Sequence, residues 1–277
     1  MDTWTKPLLM GVLNITPDSF SDGGEYLDPK RALERARVLF EQGAKIIDVG
    51  GESTRPGAER VTPDQEQERV LPIIAAIKAE LKVQISIDTM NAQTAKLAVD
   101  AGANIVNDVS GGISDPSMFA TLAPLSCKFI LGHWRGHSDV MDSRTQYSDV
   151  AREVMGELTE QVAMAVASGI SRDRIIVDPG LGFAKDIAQN WDLVNRLDEL
   201  EALGLPMLIG ASRKRFLAAA LSPKDPTGVS NNRRDLATAV LTALLLQRNL
   251  YGVRVHNVEA TADAIAIVES LKNSSLR

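Results

Sequence analysis

Polar side chains stand at, or one or two residues beyond, the ends of short apolar runs in this chain. These side chains are Asn14, Asp48, Asp88, Asn107, Asp178 and His256, and Ser212 and Lys214 follow a further run. Any one of them could simply cap the next helix. As a set, the carboxylates of Asp88 and Asp178 and the amide of Asn107 offer acceptors together with one group that also donates. That combination suits the polar edge of a flat, nitrogen-rich heterocycle.

A second set of polar residues is basic. It comprises Arg55, Arg213, Lys214, Arg215, Arg254 and His256. Arginine makes forked contacts with phosphoryl oxygens, so this set predicts a site for a phosphate-bearing group. Within 213–215 we expect Lys214 to face the pocket and at least one arginine to face solvent, because cations at a helix start oppose the helix dipole. The net charge of −6 argues against a nucleic-acid partner and a membrane surface, so local cations must hold any anionic ligand.

Candidate metal ligands are sparse in the sequence. Asn14 offers a hard side-chain oxygen of the kind that Mg²⁺ accepts while it keeps most of its waters, although a role in a turn fits this residue nearly as well. His133 and His137 are four residues apart, but Gly132 and Gly136 disfavour the helix that would bring them to one face. With no third ligand evident, we do not expect this histidine pair to bind a metal.

Two aromatic residues and the single cysteine each have two interpretations. Trp134 and Phe183 could form a flat wall against a ring or could fill the core. Cys127 lies in an apolar run, where a small buried residue is more typical than a nucleophile. Because one cysteine allows no disulfide framework and residues 8–13 are too few to span a membrane, we expect a cytoplasmic protein.

The apolar runs alternate with amphipathic stretches of helical spacing, which is typical of parallel βα units. The predicted strands cover 8–13, 45–49, 84–87, 105–106, 129–131, 174–177, 207–209 and 253–255, and predicted helices cover 29–42, 64–81, 92–101, 148–167 and 236–246. Thr62 and Pro63 fit the N-cap and first position of the second of these helices. Gly43, Gly102 and Gly169 fit the positions where helices end.

An open, doubly wound sheet and a closed (β/α)8 barrel, the TIM barrel, share this alternation. Only a barrel brings the scattered strand-end residues to one mouth, so we predict a single (β/α)8 barrel domain over residues 1–277. The loops 16–24 and 50–58 are rich in Gly, Pro, Ser, Asp and Thr and are expected to lie over that mouth. The polar stretch 222–234 predicts a long loop, to which the sequence gives no role.

Seven motifs, taken in order, resemble those of the dihydropteroate synthases. They are MGVLNITPDSFSDGG at Met10–Gly24, then GGESTRPG, SIDT, NDVSGG, GLGFAK, GASRKRF and RVHN, which ends at Asn257. The resemblance implies a homodimeric TIM barrel that joins (7,8-dihydropterin-6-yl)methyl diphosphate to 4-aminobenzoate in folate biosynthesis and releases diphosphate, with help from Mg²⁺. It also implies a dissociative reaction, in which the C–O bond to diphosphate breaks before the aniline nitrogen attacks, and competition by sulfonamides.

The resemblance also implies roles for residues of this chain. It places Asp88, Asn107, Asp178 and Lys214 on the pterin, Thr54, Arg254 and His256 on the diphosphate, Phe20, Arg55, Pro56 and Ser212 around 4-aminobenzoate, and Asn14 on Mg²⁺. We add Phe183 to the pterin group as a candidate wall. The residues expected to act in catalysis are Asp88, Lys214, Arg254 and His256.

Two positions depart from the family pattern, because Trp134 stands where Met is common and Asn257 stands where Asp is common. We expect a modest change in the pterin wall from the first and a weakened contact beside the diphosphate from the second. Two alternative functions remain. A pterin-dependent methyltransferase would share the Asp and Asn contacts but has no use for a diphosphate cradle. A non-catalytic pterin-binding paralogue would have lost turnover, and the presence of Asn14, Arg55, Lys214 and His256 argues against it.

Overall fold

The computed structural model describes residues 6–15, 29–52, 61–136 and 143–274. Within these ranges the strands form a closed barrel in which they follow one another in chain order, β1 to β8. Every neighbouring pair is parallel, including β1 with β8, which closes the barrel. The strands are β1 (Leu8–Asn14), β2 (Ile46–Gly50), β3 (Gln84–Asp88), β4 (Ile105–Asp108), β5 (Lys128–Gly132), β6 (Ile175–Asp178), β7 (Met207–Ile209) and β8 (Leu250–Val255). The predicted (β/α)8 barrel is confirmed.

Helices surround the sheet and connect its strands. Those in the described residues are α1 (Pro29–Glu41), α2 (Pro63–Glu80), α3 (Ala92–Ala101), α4 (Met118–Leu122), α5 (Val150–Ala167), α6 (Ile187–Asn195), α7 (Leu197–Glu201), α8 (Arg215–Leu221), α9 (Asn231–Leu245) and α10 (Val258–Ser274). Across the described ranges, no helix has the length and apolar character that crossing a membrane requires.

Alternation along the strands separates two layers of core. The interior of the barrel is filled by Met10, Ile46, Ile105, Ile130, Ile176 and Leu208. Residues of opposite parity, such as Leu9 and Ile47, belong to the larger core beneath the helices. Because successive side chains of a strand point to opposite faces, a residue two positions beyond an interior residue points into the barrel again, closer to its C-terminal mouth.

The signals for helix ends are confirmed. The Thr62 side chain accepts from the backbone N–H of Gln65, and Pro63 is the first residue of α2. Gly43, Gly102 and Gly169 have positive φ angles of 109°, 121° and 101°, a conformation that glycine adopts without steric cost.

The prediction of a loop over residues 222–234 is wrong at its end, because α9 begins at Asn231, five residues before the predicted start at Leu236. The first turn of α9 is Asn-Asn-Arg-Arg, which carries no apolar residue. Helical periodicity is read from apolar spacing, so a polar first turn gives no such signal.

Candidate active site at the mouth of the barrel

The carboxyl ends of the strands open into a cavity of about 470 Å³. Its lining contains each predicted site residue that lies in the described ranges: Asn14, Asp88, Asn107, Asp178, Phe183, Ser212, Lys214, Arg254 and His256. The other predicted site residues, Phe20, Thr54, Arg55 and Pro56, lie outside the described residues. Residues from five different strands and three connecting loops thus share one cavity.

The positions of the acids follow from strand alternation. Asp48, Asn107 and Asp178 lie two residues beyond interior Ile46, Ile105 and Ile176 on their strands. Register then fixes the neighbours: Asp88 pairs with Asn107 between β3 and β4, and Gly132 pairs with Asp178 between β5 and β6. Side chains at matched positions of adjacent strands face the same side of a sheet, so the acids and the amide surround one space.

Arg254, which lines the cavity, joins two of these acids. Its Nε donates to Asp48 Oδ2 at 2.6 Å, and its Nη2 donates to Asp88 Oδ2 at 2.6 Å. Asn107 Nδ2 also donates to Asp48 Oδ2, at 3.3 Å. Charge-assisted hydrogen bonds of this length are strong, so this chain of contacts fixes the guanidinium.

Asp48 is fully buried and receives no role from the sequence, although its strand-end position was the available signal. Its Oδ1 has no hydrogen-bond partner among the described residues. A buried carboxylate needs a partner charge, and Arg254 supplies it.

Burial raises the pKa of Asp88 to about 7; Arg254 opposes this shift, and the nearby carboxylate of Asp48 adds to it. Burial also raises the pKa of Asp178, against hydrogen bonding by the Gly180 N–H and the charge of Lys214. Gly180 N donates to Asp178 Oδ1 at 2.8 Å, and a Cβ on Gly210 would lie 3.3 Å from Asp178 Oδ2. The bare backbone at Gly210 therefore leaves space beside Asp178.

Lys214 and Phe183 form a pair at the wall of the cavity. Lys214 Nζ lies 3.5 Å from the centroid of the Phe183 ring, a cation–π contact. Burial lowers the pKa of Lys214 to about 8, while the charges of Asp178 and Asp88 oppose that shift. The Lys214 ammonium group therefore stays mostly protonated at pH 7 but loses its proton at a lower pH than a free lysine does.

Ser212 holds His256. The Ser212 hydroxyl lies 2.9 Å from His256 Nδ1 and accepts a hydrogen bond from the His256 backbone N–H at 3.1 Å. One serine thus fixes both the backbone and the ring of His256.

Asn14 and Asp88 present oxygens on either side of a bare backbone position. A Cβ on Gly50 would lie 3.6 Å from Asn14 Oδ1 and 3.8 Å from Asp88 Oδ2. Among the described residues no cluster of three or more His, Cys, Asp or Glu side chains could hold a metal. One or two hard oxygens suffice for Mg²⁺ when substrate phosphates and water complete its shell, so Asn14 fits that ion, whereas Asp88 Oδ2 already accepts from Arg254.

Several residues singled out in the sequence lie elsewhere. His133 is fully buried and contacts Lys185 and Glu157, while His137 lies outside the described residues. Trp134 is half-buried and does not belong to the described lining of the cavity, so a wall role for it is not supported.

Asn257 has an observed role at the start of a helix. Its Oδ1 accepts a hydrogen bond from the Ala260 backbone N–H at 3.1 Å, at the start of α10. Asn257 is absent from the described lining of the cavity and acts as a helix cap. Asparagine caps helices about as well as aspartate, which explains why this substitution is compatible with the fold.

Arg213 and Arg215 flank Lys214 but differ in surroundings. Arg213 has a positive φ of 60°, and its Nε and Nη2 donate to the two oxygens of Asp235 at 2.7 and 2.8 Å. Arg215 is exposed at the edge of the cavity. All three residues line the cavity, but Arg213 is paired with Asp235 and Arg215 is exposed, so Lys214 is the one that contacts the Phe183 ring.

A parallel (β/α)8 barrel whose C-terminal mouth collects acids, an amide and cations in one cavity has the architecture of a barrel enzyme. The family model described as "Pterin binding enzyme" matches residues 10–256, and the chain belongs to this family.

Within the family, the relatives of this chain include dihydropteroate synthases. The dihydropteroate synthase of Mycobacterium leprae (strain TN) is 46% identical over 261 residues, which cover 94% of this chain and 92% of the relative. The structure of Xanthomonas albilineans dihydropteroate synthase with 4-aminobenzoic acid is 36% identical with a TM-score of 0.88, and covers 97% of this chain and 94% of its own. That of Yersinia pestis dihydropteroate synthase with a sulfonamide drug complex is 33% identical with a TM-score of 0.89, and covers 97% and 95%. These relatives support a synthase and neither the methyltransferase nor the non-catalytic alternative.

Proposed function

We propose that this protein condenses (7,8-dihydropterin-6-yl)methyl diphosphate with 4-aminobenzoate to give 7,8-dihydropteroate and diphosphate. The observation that carries the proposal is the shared cavity, in which Asp88, Asn107 and Asp178 stand together with Lys214 and Arg254. The pterin diphosphate carries a heterocycle and a diphosphate on one molecule. Its binding site therefore needs hydrogen-bond acceptors and cations in the same cavity. Relatives that are dihydropteroate synthases support the same reaction.

The pterin lies, in this proposal, among Asp178, Asn107, Asp88 and Lys214, with Phe183 as a wall. Asp178 Oδ1 already accepts from the Gly180 N–H, which leaves Oδ2 for the ligand. When ionised, Asp178 accepts from the N–H groups of the amino-pyrimidinone edge. Asn107 both accepts and donates, and the Lys214 ammonium donates to a ring acceptor.

The diphosphate lies against Arg254 and His256 in this proposal. Thr54, which is not among the described residues, is proposed to contact it as well. The Asp48 and Asp88 contacts orient the Arg254 guanidinium, and Ser212 orients the His256 ring. Groups fixed before the substrate arrives need no reorganisation as charge develops, which is the main source of electrostatic catalysis.

The 4-aminobenzoate lies beside Ser212 in this proposal. Phe20, Arg55 and Pro56, which are not among the described residues, are proposed to contact it as well. A sulfonamide resembles this aromatic acid and is proposed to compete for the same position, in line with the Yersinia pestis relative bound to such a drug.

The reaction itself needs no strong nucleophile. The C–O bond between the pterin methylene and the diphosphate breaks, and its electron pair leaves with the diphosphate. The cation left on the pterin methyl group is stabilised by the carboxylates of Asp88 and Asp178. The aniline nitrogen of 4-aminobenzoate then forms the new C–N bond and loses one proton to solvent. Arg254 and His256 act on the departing diphosphate.

Mg²⁺ is proposed as the cofactor, with Asn14 as its ligand from the protein. When bound, the ion would neutralise negative charge on the diphosphate oxygens. Asn14→Ala is expected to raise the Mg²⁺ concentration for half-maximal activity by about tenfold, whereas Asn14→Asp keeps a hard oxygen and stays closer to the wild type. Titration of activity with Mg²⁺ measures this, and equal curves for Asn14→Ala and the wild type would contradict the assignment.

Diphosphate release tests the proposed function directly. The purified protein is incubated with the pterin diphosphate, with and without 4-aminobenzoate and Mg²⁺, and both diphosphate and dihydropteroate are measured. We expect equal amounts of the two products and dependence on both additions. Pterin binding without diphosphate release would indicate the non-catalytic paralogue and overturn the proposal.

The pH profile follows from the shifted groups. Asp88, with its pKa raised to about 7, must be ionised to accept hydrogen bonds, so kcat/KM falls as pH drops below that value. Lys214, with its pKa lowered to about 8, must keep its proton to donate, so kcat/KM falls again as pH rises above it. Lys214→Arg is expected to move the alkaline limb upward, because guanidinium stays protonated. An unmoved alkaline limb in that variant would exclude Lys214 as its source.

A homodimer in the cytoplasm is proposed as the working form. Helix α9 exposes Leu236, Val240 and Leu244 at four-residue spacing, and the neighbouring α10 exposes Ile267 and Leu271. Exposed apolar residues that form a contiguous stripe are typical of protein interfaces.

This stripe provides a test of the dimer. Leu236→Glu combined with Leu244→Glu is expected to give a monomer by light scattering, because two buried charges at an interface are costly. The control is Met164→Glu on α5, where a methionine is also exposed. Dimers of unchanged stability in the double variant would exclude this stripe as the interface.

A further inference from the structure

Lys185 is a buried lysine whose donors are all used inside the protein. It lies between β6 and α6, is 5% exposed, and receives no role from the sequence beyond its place in the motif GLGFAK. Its Nζ donates to the carbonyls of Gly180 and Phe183, each at 3.1 Å, and lies 3.0 Å from His133 Nδ1. Burial lowers the pKa of Lys185 to about 7, against the charge of Asp178. In its protonated form the group has three N–H donors, so these three partners satisfy it completely.

The segment held by Lys185 has an unusual backbone. Gly180, Gly182 and Ala184 have positive φ angles of 65°, 76° and 45°, and for alanine that conformation is strained. A Cβ on Gly180 would lie 2.2 Å from the His133 carbonyl oxygen, so the segment is pressed directly onto the loop after β5. A strained segment persists only where its surroundings hold it, which indicates that the Lys185 contacts stabilise this backbone. The three contacts of Lys185 Nζ, with Gly180, Phe183 and His133, are called the clamp below.

His133 connects the clamp to helix α5. Its Nε2 lies 2.9 Å from Glu157 Oε2 on α5, and burial lowers the pKa of His133 to about 4. A neutral imidazole with its proton on Nε2 donates to Glu157 and accepts from Lys185 at Nδ1. Arg135 also donates to both Glu157 oxygens, so the carboxylate is fixed in turn.

The clamp acts on the wall of the cavity. The carbonyl of Phe183 is one of the acceptors of Lys185, and the ring of Phe183 lies under Lys214 Nζ. A Cβ on Gly182 would lie 2.6 Å from Lys214 Cδ, so the same segment also contacts the stem of that lysine. Movement of the segment would displace both Phe183 and Lys214.

We propose that Lys185 is a positioning residue, which holds the segment 180–183 so that Phe183 and Lys214 form a preorganised wall for the pterin ring. This inference rests on the proposed function, because it names how one end of the substrate is bound. Lys185 is among the residues that line the cavity, but its donors are all used within the protein, so its effect passes through the wall. Loss of the clamp would weaken binding of the pterin substrate and spare 4-aminobenzoate.

Lys185→Met tests this, because methionine keeps an unbranched stem and removes every donor. At saturating concentration of the other substrate, we expect KM for the pterin diphosphate to rise about tenfold and KM for 4-aminobenzoate to stay within about twofold. The matched control is Lys96→Met on the exposed face of α3, which is expected to leave both values unchanged.

A second pair of variants serves if Lys185→Met does not fold. His133→Asn and His133→Leu give side chains with the same branching and the same number of heavy atoms, and both lose the Glu157 contact, but only asparagine keeps an acceptor for Lys185. We expect KM for the pterin diphosphate to be about threefold or more lower in His133→Asn than in His133→Leu.

The outcomes separate the inference from the function it rests on. If the wild type releases no diphosphate, the proposed function itself fails. The wild type could be active while Lys185→Met keeps its KM for the pterin substrate or raises both KM values equally. Either result would contradict the positioning role of Lys185. Equal KM values in His133→Asn and His133→Leu would overturn it as well.

Discussion

Arg254→Met is expected to abolish diphosphate release and to lower the free energy of unfolding by about 3–5 kcal/mol, the usual cost of breaking a buried ion pair. The guanidinium is the shared partner of Asp48, which is fully buried, and of Asp88, whose side chain is 10% exposed. Without it, two carboxylates remain close together in a medium of low dielectric constant. Chemical denaturation and the diphosphate assay measure the two losses separately.

The stability loss in Arg254→Met has a definite pH dependence. Removal of the cation raises the folded-state pKa of Asp88 further above its unfolded value, so the neutral form of Asp88 is favoured in the folded protein. A carboxyl with a raised folded pKa loses stability as pH increases, so the deficit relative to the wild type is larger at pH about 8 than at about 5. A deficit that is constant with pH would contradict the pairing.

A second substitution distinguishes structure from catalysis at this position. Asp48→Asn, added to Arg254→Met, removes one unpaired charge and is expected to restore part of the stability. It cannot restore activity, because the cation proposed to act on the diphosphate is still missing. Recovery of turnover in the double variant would exclude Arg254 from the reaction.

Asp178→Asn is expected to lower kcat/KM for the pterin diphosphate by about a hundredfold, since hydrogen bonds to a charged partner are worth about 1.5–3 kcal/mol each. The Gly180 N–H already occupies Asp178 Oδ1, so asparagine would keep its oxygen there and turn its NH₂ group toward the ligand. A donor would then face the N–H groups of the pterin edge. Steady-state kinetics and direct titration with the pterin substrate measure the loss.

The control for this variant is Asp100→Asn, which changes an exposed carboxylate paired with Lys96 on α3. It is expected to leave kcat/KM unchanged, and thermal unfolding of both variants checks that the fold is retained. Asp178→Asn with wild-type affinity for the pterin substrate would exclude the acceptor role of Asp178.

The sequence by itself determined the barrel and the membership of its cavity. The apolar runs predicted all eight strands, and each predicted site residue in the described ranges lines the same cavity. Both results rest on local rules. Strand alternation is a property of neighbouring residues, and parallel βα units place every strand end at the same mouth whatever lies between them.

The tertiary structure alone decided which of these residues contact one another. Arg254 bonds to Asp48 across 206 residues of sequence, and Lys185 contacts His133 across 52. Such pairs depend on the register of the strands and on the packing of the loops, which no local periodicity encodes. The same holds for Ser212, predicted beside 4-aminobenzoate, whose observed contact is with His256 across 44 residues. Composition and spacing thus determine which side chains reach the mouth, while packing in three dimensions determines which charges are paired there and which remain for a ligand.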